Sequence, residues 1–237
     1  MKRIILLSLL IGVLTFPCMV YADSILVTGS DLIGSRSTPE LSGIVATDGW
    51  DAENGGFTIS WNINYDSGVW NYSYTFNNVS GGVPNPDMSH LILEVSPIIT
   101  EANLSSYLWD FKVNEEITGF DVLGPKEWES GNENPYIPGV IYGIKFDDLE
   151  DGSYLFTFKS TQAPIWGDFY TKDGQQSGTW ATAWNTGFGT DPTLGTTDFT
   201  KWIPTPDTLQ VPEPGILILL GIAMSAIGVA SWKIRKL

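Results

Sequence analysis

Histidine and cysteine, the side chains that most often carry chemistry, are almost missing from this sequence. His90 is the only histidine, with Asp87 and Ser89 close to it. A Ser-His-Asp triad needs three groups converging in space, and neighbours in sequence do not supply that. No Gly-x-Ser-x-Gly elbow occurs either, so His90 at a strand edge reads as structural. Cys18 is the only cysteine, which leaves zinc without a ligand set. Asp147-Asp148-Leu149-Glu150-Asp151 offers the hard oxygen ligands calcium takes, but without EF-hand spacing. Its plainer reading is a charged hairpin loop, and no catalytic residue, metal or cofactor is expected. A glycosidase needs two carboxylates facing each other about 5 to 10 Å apart, and no spacing here singles out such a pair.

Aromatic residues are the more promising chemistry. Nine of the ten tryptophans lie between Trp50 and Trp202, among many Asn and Asp residues. Indole faces beside polar groups suit stacking on sugar rings. Trp61 and Trp70 fall on apolar strand faces and are assigned to the core. Trp180 and Trp184 are the candidates for ligand binding.

The elements positioning these residues are strands. Phe57 to Tyr65 alternates Phe, Ile, Trp, Ile and Tyr with Thr, Ser, Asn and Asn; Val69 to Phe76 alternates Trp70, Tyr72, Tyr74 and Phe76 with polar residues. Separated by Asp66-Ser67-Gly68, the two runs predict a β-hairpin. Further strands are expected at 41–46, 90–95, 108–113, 140–146, 154–159, 165–171, 179–184 and 200–203. Short strands, frequent turns and no amphipathic helix predict an all-β, jelly-roll-like β-sandwich over residues 23–204. No repeat of 20–50 residues suggests a propeller or solenoid. A short linker, 205–211, follows.

Charge narrows the partners. Between residues 23 and 211 the chain carries 26 acidic and seven basic side chains, a net charge of −19. Such a surface repels nucleic acid and anionic lipid.

The ends are of another kind. Lys2-Arg3, an apolar run from Ile4 to Leu14, and Val20-Tyr21-Ala22 have the layout of a secretory signal peptide cleaved after Ala22. The alternatives are a retained anchor, for which the run is short, and a lipoprotein, for which Pro17 before Cys18 is the wrong residue. Cleavage leaves a mature chain without cysteine, held together by its core. At the other end, Ile216 to Trp232 is uncharged and is followed by Lys233, Arg235 and Lys236. A helix over 216–232 would span about 25 Å at roughly 1.5 Å per residue, with the basic tip stopping transfer on the inner side. Pro212 and Pro214 hold the stretch before it extended.

The order Val211-Pro212-Glu213-Pro214, apolar helix, basic tip resembles a PEP-CTERM sorting signal, spanning the last 27 residues. The resemblance implies recognition by an exosortase, a membrane-embedded cysteine protease, at Pro212, Glu213 and Pro214. It also implies transient membrane anchoring, then delivery to the cell surface or exopolysaccharide matrix of a Gram-negative bacterium. Trp166-Gly167-Asp168-Phe169-Tyr170-Thr171-Lys172-Asp173-Gly174 and Trp184-Asn185-Thr186-Gly187-Phe188-Gly189 resemble a segment that precedes this signal in many such proteins. That likeness implies a shared β-domain and no particular activity. The expected function is therefore structural or adhesive rather than enzymatic. The alternatives are a carbohydrate-binding module, with or without calcium, and a hydrolase or lyase acting on the exopolysaccharide. A plain membrane-anchored protein is the rival for localisation.

Overall fold

The computed structural model describes residues 25–38, 43–152, 154–173 and 179–207. The expected signal peptide with its cleavage at Ala22, the Pro212-Glu213-Pro214 triplet, the helix over 216–232 and Lys233, Arg235 and Lys236 lie outside these residues. Among the described residues no helix is long and apolar enough to cross a membrane.

The fold is all-β. In chain order the strands are β1 (Ile33–Ser37), β2 (Ile44–Ala46), β3 (Thr58–Asp66), β4 (Val69–Asn77) and β5 (Met88–Glu94). Then come β6 (Leu108–Val113), β7 (Asp121–Trp128), β8 (Ile141–Asp147) and β9 (Leu155–Ser160). The last are β10 (Ile165–Gly167), β11 (Phe169–Asp173), β12 (Thr182–Asn185) and β13 (Ile203–Thr205). They form a five-stranded sheet, β1-β3-β4-β9-β6, a six-stranded sheet, β2-β12-β11-β5-β8-β7, and the pair β10-β13. All pairings are antiparallel.

Period-two alternation explains how the two sheets meet. Ile59, Trp61 and Ile63 of β3 pair across with Phe76, Tyr74 and Tyr72 of β4, and all six are buried. On β9, Phe156 and Phe158 pair with Tyr74 and Tyr72. From the other sheet, Leu91, Leu93, Ile144, Phe146 and Phe169 join the same core. Phe146 lies 5.3 Å from Phe156 and 5.8 Å from Phe111, both edge-on. Burying each such ring contributes roughly 1.5–3 kcal/mol. The two core tyrosines keep their hydroxyls satisfied, Tyr72 donating to the Gln162 carbonyl and Tyr74 to that of Pro204.

The predicted hairpin forms, with a tighter turn. Asp66 pairs directly with Val69, so only Ser67 and Gly68 form the loop, at φ 52° and 89°. Positive φ at both positions matches the strand twist, and glycine takes it without strain.

Four expectations are revised. β1 and β7 lie where no strand was predicted, because Gly34, Ser35 and Arg36, and Gly124 and Pro125, break the apolar alternation. The stretch 165–171 is two strands, β10 and β11, in different sheets. The 147–151 connection is no hairpin loop, since β8 and β9 also belong to different sheets. The described part of the expected linker is packed: Thr205 ends β13 and Asp207 is buried.

Candidate functional site

The outer face of the six-stranded sheet, turned away from the main core, carries a cleft of about 680 Å³. Alternation builds its floor. Leu91, Phe146 and Thr171 point inward, so His90 and Ile92, Lys145 and Asp147, and Tyr170 and Lys172 point outward. Lys172 lies opposite His90, and Lys145 opposite Ile92. Lys126 and Trp128 enter from β7, and Trp180 from the residues before β12. Residues 129–140, between β7 and β8, fold over one end. There Ile137 packs against Ile92, Trp128, Ile141 and Tyr170, and the Tyr170 hydroxyl donates to the Pro135 carbonyl at 2.6 Å.

The cleft's cations are held in place. Lys126 Nζ sits 4.1 Å above the Trp128 ring centre and Lys172 Nζ 4.0 Å above that of Trp180. Lys145, only 4 % exposed, bonds to Asp147 Oδ2 at 2.9 Å and reaches over Trp128 at 5.5 Å. The Trp128 indole N–H donates to the Gly143 carbonyl at 2.8 Å, which fixes the ring. Trp180 thus meets one ammonium and Trp128 two, and an attraction of this kind strengthens as water is excluded.

His90 lies at the base, 2 % exposed, with Nδ1 3.8 Å from Asp147 Oδ1. Burial lowers its pKa well below 6.5; Lys145 and Lys172 push the same way, and Asn134 opposes them. Its Nε2 is buried without a hydrogen-bond partner, as is Asn134 Oδ1. A neutral, weakly basic imidazole out of reach of solvent is poorly suited to abstract a proton from a bound substrate. Burial likewise lowers the pKa of Lys172, and Lys145 adds to the effect.

Of the two tryptophans singled out from sequence, Trp180 lines the cleft. Trp184 lies elsewhere on the same sheet, packed with Phe188 against the cluster around Tyr170 and Ile92. Trp128, Lys126, Lys145 and Lys172 were not singled out, and His90 was read as structural only. One signal was available: Lys126 and Lys172 stand two residues from Trp128 and Tyr170, the spacing that puts side chains on one face of a strand. The acidic 147–151 stretch gives Asp147 to Lys145. Among the described residues no group of three or more His, Cys, Asp or Glu side chains is placed to hold a metal ion.

The two motif segments around Trp166 and Trp184 meet at a different place, the switch between β10 and β11. The Asp168 N–H donates to Glu94 Oε2 at 2.7 Å instead of continuing a ladder. The Asp168 carboxylate accepts from Asn185 Nδ2 and from the Gly189 N–H, each at 2.6 Å. Asn185 Oδ1 accepts from the Phe169 N–H at 3.0 Å, and its Nδ2 also donates to the Lys201 carbonyl at 3.0 Å. Gly167 is required there, because a Cβ would collide with Thr205 Oγ1 and come within 2.7 Å of Glu94 Oε2. Burial, then the negative charges of Asp168 and Asp207, push Glu94 well above the ordinary carboxylate range; burial raises Asp168 and Asp207 to about 6 each. The motif is thus a structural lock. No family model, no curated protein and no solved structure matches this chain.

Proposed function

We propose that this is an exported surface or matrix protein whose jelly-roll-like β-sandwich binds a saccharide without cleaving it. The observation that carries the reading is the cleft, where indoles and charged hydrogen-bonding groups line one sheet face. A sugar ring offers an apolar C–H face and a rim of hydroxyls, and a site for it combines aromatic surface with polar groups. A buried, neutral His90 is a poor base for a lyase-type elimination in this cleft. Binding of the full chain to a panel of bacterial polysaccharides, followed by calorimetry, tests this. Trp180→Ala is expected to weaken binding about five- to tenfold, the scale of one aromatic contact. Cleavage of the bound polymer would overturn the non-enzymatic reading.

The same proposal covers the ends: a signal peptide of residues 1–22, and a PEP-CTERM signal at Pro212, Glu213 and Pro214 with a membrane helix over 216–232. An exosortase would process the triplet, with Lys233, Arg235 and Lys236 held inside until then. Intact mass and fractionation check it. The mature chain is expected to start at Asp23, end near the triplet and leave the inner membrane, while Glu213→Ala remains there. Persistence of the whole tail in the membrane for both versions would reduce it to an anchor.

A further inference from the structure

We infer that the cleft selects saccharides bearing a carboxylate, uronic acid residues, and that the ammonium groups of Lys172 and Lys126 receive it. The inference rests on the saccharide reading of the cleft and names the class of sugar.

Between residues 23 and 211 acidic side chains outnumber basic ones 26 to seven, so a lysine here has carboxylates in plenty to pair with. Lys112 and Lys159 share Asp110, at 3.6 and 2.8 Å, and Lys145 holds Asp147. Lys126 and Lys172 have no carboxylate within 4.0 Å among the described residues, although Glu133, Asp147 and Asp148 line the same cleft. Each is held over an indole instead. Lys172 is 8 % exposed, and a cation withdrawn that far from water is ordinarily paired. The positive charge of Lys145 also acts on it. An anion entering beside Lys172 relieves that repulsion.

The rest of the lining specifies the anion. Three lysines and three carboxylates leave the lining charges balanced, inside a domain that is otherwise strongly negative. Two ammoniums can neutralise a carboxylate or a phosphate, and it is the aromatic surface beside them that favours an anion carried on a sugar ring. Glu133 and Asp148 can accept hydrogen bonds from sugar hydroxyls. The half-buried Trp180 indole beside Lys172 gives the pyranose ring its apolar contact.

The test is calorimetry of the full chain with oligomers of mannuronate, guluronate, glucuronate and galacturonate, and with the carboxyl-reduced counterpart of each. At least one uronate oligomer is expected to bind, and its reduced counterpart roughly 30-fold more weakly, the scale of charge-assisted hydrogen bonds. Lys172→Met and Lys126→Met should each weaken uronate binding about tenfold and leave the reduced oligomer's affinity unchanged. Lys201→Met, outside the cleft, should change neither. Lys126 is exposed, so its variant reports even if Lys172→Met fails to fold. Equal affinity for an oligomer and its reduced form would overturn the inference while leaving the saccharide reading intact. Competition by inorganic phosphate at the same concentration as uronate would reassign the cleft as a general anion site. Binding of neither form would overturn this inference and the saccharide reading together.

Discussion

Asn185→Ala is expected to destabilise the domain by about 3–5 kcal/mol, and to lower its Tm by roughly 10 °C or more. The side chain is fully buried and makes three hydrogen bonds, to the Phe169 N–H, to Asp168 Oδ1 and to the Lys201 carbonyl. Truncation leaves a backbone donor, a backbone carbonyl and a carboxylate oxygen without partners in a site that water does not reach. Each orphaned group costs about 1–3 kcal/mol, more when charged. The loss also frees the switch between β10 and β11, so the two sheets lose their common anchor. Chemical denaturation measures the effect directly. A change below about 1 kcal/mol would mean that the Asp168–Asn185 contact is not what holds the switch.

The second large effect is on pH. The domain should be more stable near pH 5 than at pH 8. Burial raises Asp168, Asp173 and Asp207 from 3.8 to about 6, and Glu94 well above its ordinary value. A carboxyl whose folded pKa exceeds its unfolded one binds protons more tightly when folded. Its contribution is complete below about pH 3.8 and is lost as pH rises through about 6. His90 acts in the opposite sense. Its pKa is lowered, so its contribution is present above 6.5 and is lost as pH falls below that. The native state takes up several protons on acidification where the unfolded chain takes up one at His90, so the carboxyls prevail. At about 1.4 kcal/mol for each pH unit of displacement, the net gain is on the order of 3 kcal/mol. Tm should therefore rise by roughly 6–12 °C between pH 8 and pH 5. Asp207→Asn should flatten this dependence. A Tm that falls steadily from pH 8 to pH 5 would contradict the assignment.

These results share a cause. Asp168 and Asp207 are buried, and Glu94 is half-buried, because the chain changes sheets beside them. Nothing in their local sequence distinguishes them from the other acids of a chain with net charge −15. The lock had a partial signature, since Trp166-Gly167-Asp168 and Trp184-Asn185 stood out as motif segments. That Asp168 and Asn185 bond to each other was not legible. The pairing depends on β11 and β12 lying side by side.

What the sequence determined by itself is what local periodicity can encode. A strand sends alternate side chains to opposite faces, so Ile59, Trp61, Ile63, Tyr72, Tyr74 and Phe76 declared a hairpin and its buried face before any partner was known. Composition did the same for the all-β class. The cleft was decided only by tertiary structure. Lys126, Lys145 and Lys172 lie on three strands far apart in sequence, and Trp180 precedes a fourth. They meet because β7, β8, β5, β11 and β12 are neighbours in one sheet. Strand order is set by how two apolar faces close over each other, and that is a property of the whole chain. The same closure turned Trp184 into packing and left Trp180 at the cleft, a distinction two tryptophans four residues apart could not carry alone.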